Sequence, residues 1–241
     1  MSLLSIIQRP KYKTVAVNFD GTNDYGTRGA GLDGAANADN ITVVFTVDFT
    51  GNDDLAGFIL SAALGEVSIT RTAVDGYIQI ATEPLRINFI STTQYSSSVG
   101  WKTILFSRTG TTLNLYEADT DIKGTVTTNA SGDIDFTATD WFVGARNDGL
   151  GKLTANFADF WFSNVYFDFS QQANRRKFVD AQGKPVWTGL DGSVPNGTAP
   201  LIFFRRGIGE SADSFLTNKG TGGGFTVNGA LSDSTNGNPT G

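Results

Sequence analysis

The sequence predicts an all-β protein, an antiparallel jelly-roll sandwich of two packed sheets. Three observations support this. Gly, Thr, Ser and Asn supply roughly two fifths of the 241 residues, a composition typical of short strands joined by tight turns. Only four of the 24 acidic residues are Glu, and Asp favours turns where Glu favours helices. Eight Asp-Gly or Asn-Gly pairs, which suit tight turns, begin at positions 20, 33, 75, 148, 191, 196, 228 and 236.

The strands follow one another closely along the chain. The clearest alternation lies at 41–49, where apolar residues occupy every odd position. An opening strand is predicted at 15–19, because apolar and polar residues alternate there too. Similar runs predict further strands near 57–61, 66–71, 76–81, 85–90, 101–108, 112–118, 121–127, 140–145, 200–204 and 224–228.

The aromatic segment 157–169 changes face along its length. Phe160 and Phe162 occupy even positions, whereas Phe167 and Phe169 occupy odd ones. A continuous strand would expose one of these pairs, so a bulge or a turn is predicted between them.

One short surface helix is predicted near 171–181. Ser170 is the candidate N-cap, and Gly183 followed by Pro185 gives the stop signal. The apolar stripe is thin, which indicates a surface helix on a sheet edge.

The chain divides into an arm, one domain and a tail. Residues 1–13 form the N-terminal arm and 14–231 a single domain, whose C-terminal extension is 170–231. Residues 232–241 are predicted to be a coil tail. The length suffices for one large β domain with a substantial core.

The arm is apolar at its start, with Leu3, Leu4, Ile6 and Ile7. It is either a loosely packed terminus or a docking arm for a neighbouring subunit, since four exposed aliphatic side chains are costly in water. The run is too short for a signal-peptide core and lacks a preceding basic region. We therefore expect synthesis in the cytoplasm without general secretion, and no transmembrane segment.

Composition excludes several functions. The chain has no His and no Cys, so no Ser-His-Asp triad, cysteine nucleophile or zinc site with nitrogen or sulfur ligands is possible. The alternate acidic pairs Asp119/Asp121 and Asp133/Asp135 are not followed by a third carboxylate. We expect no enzyme. The net charge of −6 disfavours nucleic acid and anionic membranes as partners.

Two Asp/Asn loops are candidates for a hard cation. Asp20, Asn23 and Asp24 surround one tight turn, and Asn147 and Asp148 lie in another loop. Calcium takes six to eight oxygen ligands, which such side chains supply. The same side chains also stabilise turns by accepting bonds from their own backbone, and both explanations stay open.

Aromatic residues offer candidate glycan-stacking positions. Trp187, in a Gly- and Pro-rich loop, and Tyr25 are the best placed to be exposed. Trp101, Trp141 and Trp161 lie in apolar strand patterns and are predicted to belong to the core.

Two dense basic spots, 175–177 and 205–206, are candidates for pairing with acidic groups of a neighbouring subunit. The Gly-rich stretch 218–225 lacks the Gly-Lys-Ser/Thr ending of a phosphate loop, so it is predicted to be a flexible turn.

Three segments together carry a family resemblance: FDGTNDY (19–25), GWKTILFSRTGTTLNLYEAD (100–119) and DWFVGARNDGLGKLTANFADFWFSNVYFDFS (140–170). Their order resembles the laminin-G-like branch of the concanavalin A-like lectin/glucanase superfamily. Residues 170–231, with the strings ANRRKF and GTGGGFTVNGAL, are similar to C-terminal parts of laminin-G-like proteins of tailed phages and prophages.

The resemblance implies a concanavalin A-like jelly roll and a virion-associated role. Glucanase relatives use a Glu-x-Asp-x-x-Glu strand, which is missing here. The leading expectation is a phage structural protein, a head or tail decoration or attachment module that touches host-surface glycans. A calcium-dependent carbohydrate-binding adhesin is the alternative, and a glycoside hydrolase ranks third. Expected partners are other virion proteins, further copies of the chain and a glycan, and the expected location is the virion.

Overall fold

A computed structural model of the protein describes residues 13, 15–51, 53–63, 66–82 and 86–240. It consists of two eight-stranded antiparallel sheets, which confirms the predicted all-β sandwich. No helix in this part of the chain is long and apolar enough to cross a membrane.

Most strands overlap the predicted runs, but Tyr25–Arg28 and Ser232–Asp233 form strands that were not predicted. In chain order the strands are β1 (Val17–Asp20), β2 (Tyr25–Arg28), β3 (Ile41–Phe49), β4 (Gly57–Ser61), β5 (Ser68–Arg71), β6 (Tyr77–Ala81), β7 (Ile87–Gln94), β8 (Lys102–Thr109), β9 (Thr112–Glu117), β10 (Thr120–Asp121), β11 (Lys123–Asn129), β12 (Trp141–Val143), β13 (Thr154–Ser163), β14 (Ile202–Arg205), β15 (Thr226–Asn228) and β16 (Ser232–Asp233).

The first sheet has the order β10-β9-β8-β3-β13-β1-β16, and β14 also pairs with β13. The second sheet has the order β11-β7-β6-β5-β4-β12-β2-β15. In the first sheet, β13 lies beside β3 on one edge, while β1 and β14 share its other edge. Strands distant in sequence therefore become neighbours throughout the sandwich.

The main core lies between the two sheets. Odd-numbered residues of β3, such as Val43 and Phe45, are fully buried there. Phe89 of β7 meets Phe106 of β8 with ring centroids 5.6 Å apart. The alternation at 41–49 thus identified the inward face of β3 correctly.

The outer face of the first sheet is also covered. A second apolar cluster combines outward-facing side chains of the strands, among them Val44 and Trp161, with Phe167, Phe169 and Phe178 from the segment after β13. All nine residues of β3 are buried for this reason. The change of face predicted within 157–169 is confirmed, since β13 ends at 163 and the later phenylalanines turn back onto the outer face.

The predicted helix at 171–181 is much shorter in the structure. Helix α1 spans only Gln172–Arg175, and Gln171 rather than Ser170 is its N-cap. Phe178 packs into the outer cluster, while Val179 forms an antiparallel bridge with Pro185. Burial of these side chains requires a turn, which ends the helix early.

The C-terminal tail departs from the coil predicted for 232–241. Strand β16 pairs with β1. Beyond it, the Asn236 amide donates to Asp48 Oδ2 at 2.8 Å, and the Thr235 backbone N–H donates to Asn156 Oδ1 at 3.1 Å. Asp48 and Asn156 are buried polar side chains on the outer face of the first sheet, so the tail supplies hydrogen bonds that they need.

The glycines of the Asp-Gly and Asn-Gly pairs adopt the turn conformation that these pairs predict. In all eight Asp-Gly or Asn-Gly pairs the glycine has a positive φ, between 66° and 85°. The Gly-rich stretch 218–225 is not a loose turn, however. Asn218 makes hydrogen bonds to Phe203, Leu201, Gly220 and Gly223, which fix the stretch beside β14.

Candidate functional site

The turn between β1 and β2 uses its acidic groups to hold backbone. Asp20 Oδ1 accepts the Thr22 N–H at 2.7 Å and the Asn23 N–H at 3.4 Å. Asp24 is buried; its Oδ1 accepts the Ala230 N–H at 3.0 Å, and its Oδ2 accepts the Asp20 N–H at 3.2 Å. Burial raises the pKa of Asp24. This turn is thereby tied to the C-terminal part of the chain.

The second Asp/Asn loop, 146–149, is organised by an ion pair. Arg146 Nε donates to both carboxylate oxygens of Asp148 at 3.0 Å, and Asp148 Oδ1 also accepts the Leu150 N–H at 2.9 Å. The Arg146 guanidinium lowers the pKa of Asp148 to about 2. Asn147 makes no side-chain hydrogen bond to any described residue, so its amide is available to a ligand.

A concavity of about 430 Å³ lies where β2, β12 and this loop meet. Tyr25 stacks on Phe142 with ring centroids 6.1 Å apart and an interplanar angle of 18°. Lys152 Nζ lies 5.7 Å from the Tyr25 ring centroid. We call this the Tyr25 concavity. Its aromatic and polar lining residues include Tyr25, Arg28, Asp140, Phe142, Asn147 and Asp148.

The Tyr25 concavity unites one predicted stacking residue with one of the two predicted cation loops. Asp20, Asn23 and Asp24 do not line it. Across the described ranges, no group of three or more carboxylates is close enough to hold a metal ion. Asp148 and Asp24 already accept the hydrogen bonds given above, which leaves fewer of their lone pairs for calcium, an ion that takes six to eight oxygen ligands. Calcium binding stays a prediction.

The sequence analysis did not identify Arg28, Asp140 and Phe142 as site residues. They reach the concavity because β12 pairs with β2, placing Phe142 opposite Thr27. That pairing joins segments more than 100 residues apart, and no local pattern indicates it. The positive φ of Asp140, 57°, is equally invisible in the sequence.

A larger groove of about 930 Å³ lies beside β14. Its exposed apolar residues are Trp187, Leu190, Val194 and Ile208. We call it the Trp187 groove. Trp187 is the exposed aromatic that the sequence predicted, and the Arg205 guanidinium lies 5.1 Å from its ring centroid.

The basic spots pair within the chain, contrary to the suggested pairing with a neighbouring subunit. Each arginine contacts an aspartate on another element, and Arg175 and Arg176 share one carboxylate. The pairs are Arg175 and Arg176 with Asp119, Arg205 with Asp159, and Arg206 with Asp233.

The acidic pairs considered for hydrolysis have structural partners. The arginines hold the pKa of Asp119 at about 2, and Asp135 Oδ1 accepts the Thr137 N–H at 2.8 Å. Trp141 and Trp161 are buried as predicted, while Trp101 is half-buried. Leu3, Leu4, Ile6 and Ile7 lie outside the described residues.

No protein-family profile matches the chain, and a search of curated proteins finds no significant match. Solved structures do share its fold. A putative carbohydrate binding protein from Bacteroides ovatus is similar at a TM-score of 0.60 and 11% identity, covering 93% of this chain and 60% of that one. The native heptameric SAP-like pentraxin of Limulus polyphemus is similar at a TM-score of 0.56 and 13% identity, covering 92% and 96%.

Mouse laminin alpha1 chain domains LG4-5 give a TM-score of 0.46 at 10% identity, over 69% of this chain and 46% of that one. The similarities to the Bacteroides ovatus and Limulus polyphemus proteins, at TM-scores above 0.5, bear on the fold alone. The jelly-roll fold implied by the family resemblance is confirmed, and the phage context stays a prediction.

Proposed function

We propose that this protein is a non-enzymatic binding module of a tailed-phage virion that contacts a host-surface glycan through the Tyr25 concavity. The observation that carries the glycan part is the stacked pair Tyr25–Phe142 beside an unoccupied amide, that of Asn147. The similar structure titled a putative carbohydrate binding protein supports the same ligand class.

The chemistry of the Tyr25 concavity suits a sugar. A pyranose ring presents apolar C–H faces and a rim of hydroxyls, so it needs an aromatic face and planar polar groups together. Tyr25 provides the face. The Asn147 amide both donates and accepts hydrogen bonds, and the Asp140 carboxylate accepts them.

Binding without hydrolysis fits the carboxylates present. A glycosidase needs a general acid whose pKa is raised toward neutrality. The Arg146 guanidinium moves the pKa of Asp148 in the opposite direction. Asp148 therefore stays ionised and serves as an acceptor and a loop anchor.

The virion part of the proposal rests on the sequence similarity of 170–231 to phage and prophage proteins. Mass spectrometry of purified virions tests it directly. We expect peptides of this protein in intact particles at a stoichiometry typical of structural proteins. Its absence from intact particles would overturn the assignment to the virion.

A glycan array tests the ligand. We expect the wild-type protein to bind at least one host-surface glycan, and Tyr25→Ala to weaken that binding about tenfold, the effect of losing one aromatic stacking partner. Tyr77→Ala is the matched control, because Tyr77 is a half-buried tyrosine of the same sheet outside the concavity. Equal binding by wild type and Tyr25→Ala contradicts the assignment of the site.

A calcium-dependent carbohydrate-binding adhesin is the second candidate. This function is favoured by the side-chain oxygens of Asn147 and Asp140, two residues that line the same concavity. The same array, repeated with a chelator, separates the two functions. Glycan binding that survives chelation supports the calcium-independent module, and binding that disappears supports the adhesin.

A further inference from the structure

We propose that the Trp187 groove binds an acidic and apolar projection on a second copy of this chain. The projection consists of two neighbouring loops, 53–55 and 74–75, and we call it the Leu55 knob. Of nine large hydrophobic side chains that are exposed in the described part of the chain, four line the groove, and Leu55 and Val74 belong to the knob. Clusters of exposed apolar side chains mark interaction surfaces.

The groove carries a surplus of positive charge. Three of its basic residues each pair with a carboxylate of their own: Arg205, Arg206 and Lys219. Arg176 instead shares the Asp119 carboxylate with Arg175. Lys13 and Lys177 also line the groove and form no ion pair with a residue that the structure describes. An occupant that covers the groove therefore has to bring carboxylates as well as apolar side chains, because a covered charge without a partner is costly.

The apolar part of the knob is fixed in place by Asp53. Its carboxylate pairs with Arg71, and its Oδ1 accepts the Ser97 backbone N–H at 3.1 Å. The Asp53 carbonyl oxygen accepts the Val74 N–H at 2.8 Å, which joins the second loop to the first. Leu55 is 62% exposed and Val74 is 75% exposed. A projection that is already ordered loses little conformational entropy when it binds.

The knob also supplies the negative charge that the groove lacks. Asp54 and Asp75 are exposed, and neither forms an ion pair with a described residue. Val74, next to Asp75, has a φ of 63°, which β-branched residues rarely adopt. Strained backbone of this kind occurs mainly at functional sites. Two carboxylates beside two aliphatic side chains thus match the two unpaired lysines beside the aliphatic side chains of the groove.

Knob and groove lie on different parts of the fold. The knob loops follow β3 and β5, whereas the groove lies beside β14, and no knob residue lines the groove. A knob on one copy and a groove on the next make a heterologous contact, which repeats head to tail and gives a ring or a filament. This contact is independent of the glycan site, because none of its residues lines the Tyr25 concavity.

Sedimentation velocity of the full chain, from about 1 μM to about 1 mM, tests the association. We expect the wild type to associate as its concentration rises. Leu190→Asp adds a negative charge opposite the acidic knob, and Leu55→Lys adds a positive charge opposite the basic groove. Each should weaken the association at least about tenfold. Leu150→Asp and Leu150→Lys are the matched controls, since Leu150 is 58% exposed and belongs to neither surface.

Two results would overturn the proposal: a wild type that stays monomeric throughout this range, or variants at Leu190 and Leu55 that associate like the controls. Thermal unfolding midpoints of the variants verify that they fold.

A mixture of the two defective variants tests whether the contact is heterologous. Leu190→Asp keeps an intact knob, and Leu55→Lys keeps an intact groove. An equimolar mixture should therefore form a one-to-one dimer and nothing larger, although each variant alone stays monomeric. A mixture that stays monomeric contradicts the pairing of knob with groove.

Charge reversal tests the ionic part of the contact. Lys177→Glu should weaken the association about tenfold, and additional reversal of the knob by Asp54→Lys and Asp75→Lys should restore it. Lys184→Glu is the matched control, because Lys184 is an exposed lysine outside the groove and the change in net charge is the same. Association of Lys177→Glu at the wild-type level would refute the assigned charge pairing.

Discussion

Arg205 and Asp159 lie directly opposite each other in the paired strands β14 and β13, and Arg205 Nε donates to Asp159 Oδ1 at 2.7 Å. Both residues are buried. The guanidinium also donates to Gly189 O and Thr188 Oγ1, and it lies 5.1 Å from the Trp187 ring centroid and 4.8 Å from that of Phe203. This one side chain links β13 to the loop that forms the Trp187 groove.

Removal of Asp159 should destabilise the fold strongly. Asp159→Ala leaves the Arg205 charge buried without its carboxylate, a loss of about 3 kcal/mol in the free energy of unfolding measured by urea denaturation. Asp148→Ala breaks an exposed ion pair on a loop and serves as the control, with a loss well below that of Asp159→Ala. An equal effect of both changes would contradict the structural role of the buried pair.

A cover on the outer face of the first sheet is a second testable feature. Phe178→Ala should lower the free energy of unfolding by about 3–5 kcal/mol, because Phe178 packs edge-on against Trp161 and Phe167 with ring centroids 5.2 Å apart. Val165→Ala, in the same segment but 39% exposed, is the control and should cost far less. Equal denaturation midpoints for the two variants would show that the segment does not cover the sheet.

Substitutions at Gly144 and Gly197 distinguish the energetic cost of a positive φ from the cost of steric crowding. Gly144 has a φ of 83°, and a Cβ there would lie 2.6 Å from Phe19 Cε1. Gly197 has a φ of 85° but open space around it. We expect Gly144→Ala to destabilise the protein by about 3 kcal/mol and Gly197→Ala by about 1 kcal/mol in chemical denaturation. Equal losses would mean that Phe19 relaxes without cost.

Stability should fall in acid partly through Asp119. Its pKa is held at about 2 by hydrogen bonds from Arg176 and Arg175, below the value near 3.8 of the unfolded chain. The contribution of Asp119 to the free energy of unfolding is therefore present above about pH 4 and lost as the pH falls toward 2. Because the carboxylate is 37% exposed, screening reduces this contribution to about 1 kcal/mol.

Urea denaturation between pH 2 and pH 7 measures this contribution. The wild type should lose about 1 kcal/mol more than Asp119→Asn over the acid interval. Thr120→Ala, at the neighbouring exposed position of β10, removes no carboxylate and should retain the wild-type pH profile. A parallel pH dependence of wild type and Asp119→Asn would refute the role of this carboxylate.

Local sequence patterns predicted most strands, but they did not predict which faces of the sheets are buried by distant segments. The alternation in β3 identified Phe45 as inward, since period two follows from the geometry of an extended chain. The same pattern does not indicate what covers the opposite face, with Thr42 and Val44. The structure buries that face under a segment more than 100 residues away, and such a contact has no local signature.

The candidate sites likewise combine features that the local sequence predicts with features that depend on distant contacts. The exposure of Trp187 and the turn chemistry of Asp20 follow from neighbours in the sequence. The meeting of Tyr25 with Phe142 and Asn147 depends on the pairing of β2 with β12. The helix predicted to 181 ended at 175 because burial of Phe178 outweighed a weak local preference for helix.

The sequence by itself determined the all-β class, most of the strand positions and the eight glycine turns, because these depend on side-chain periodicity and on backbone sterics within a few residues. Only the tertiary structure decided the rest. It joined β13 to both β1 and β14, folded the C-terminal tail against Asp48, and brought distant loops together at the Tyr25 concavity. Antiparallel pairing and burial act between residues that are far apart in the chain, so their outcome is set by the packing of the whole sandwich.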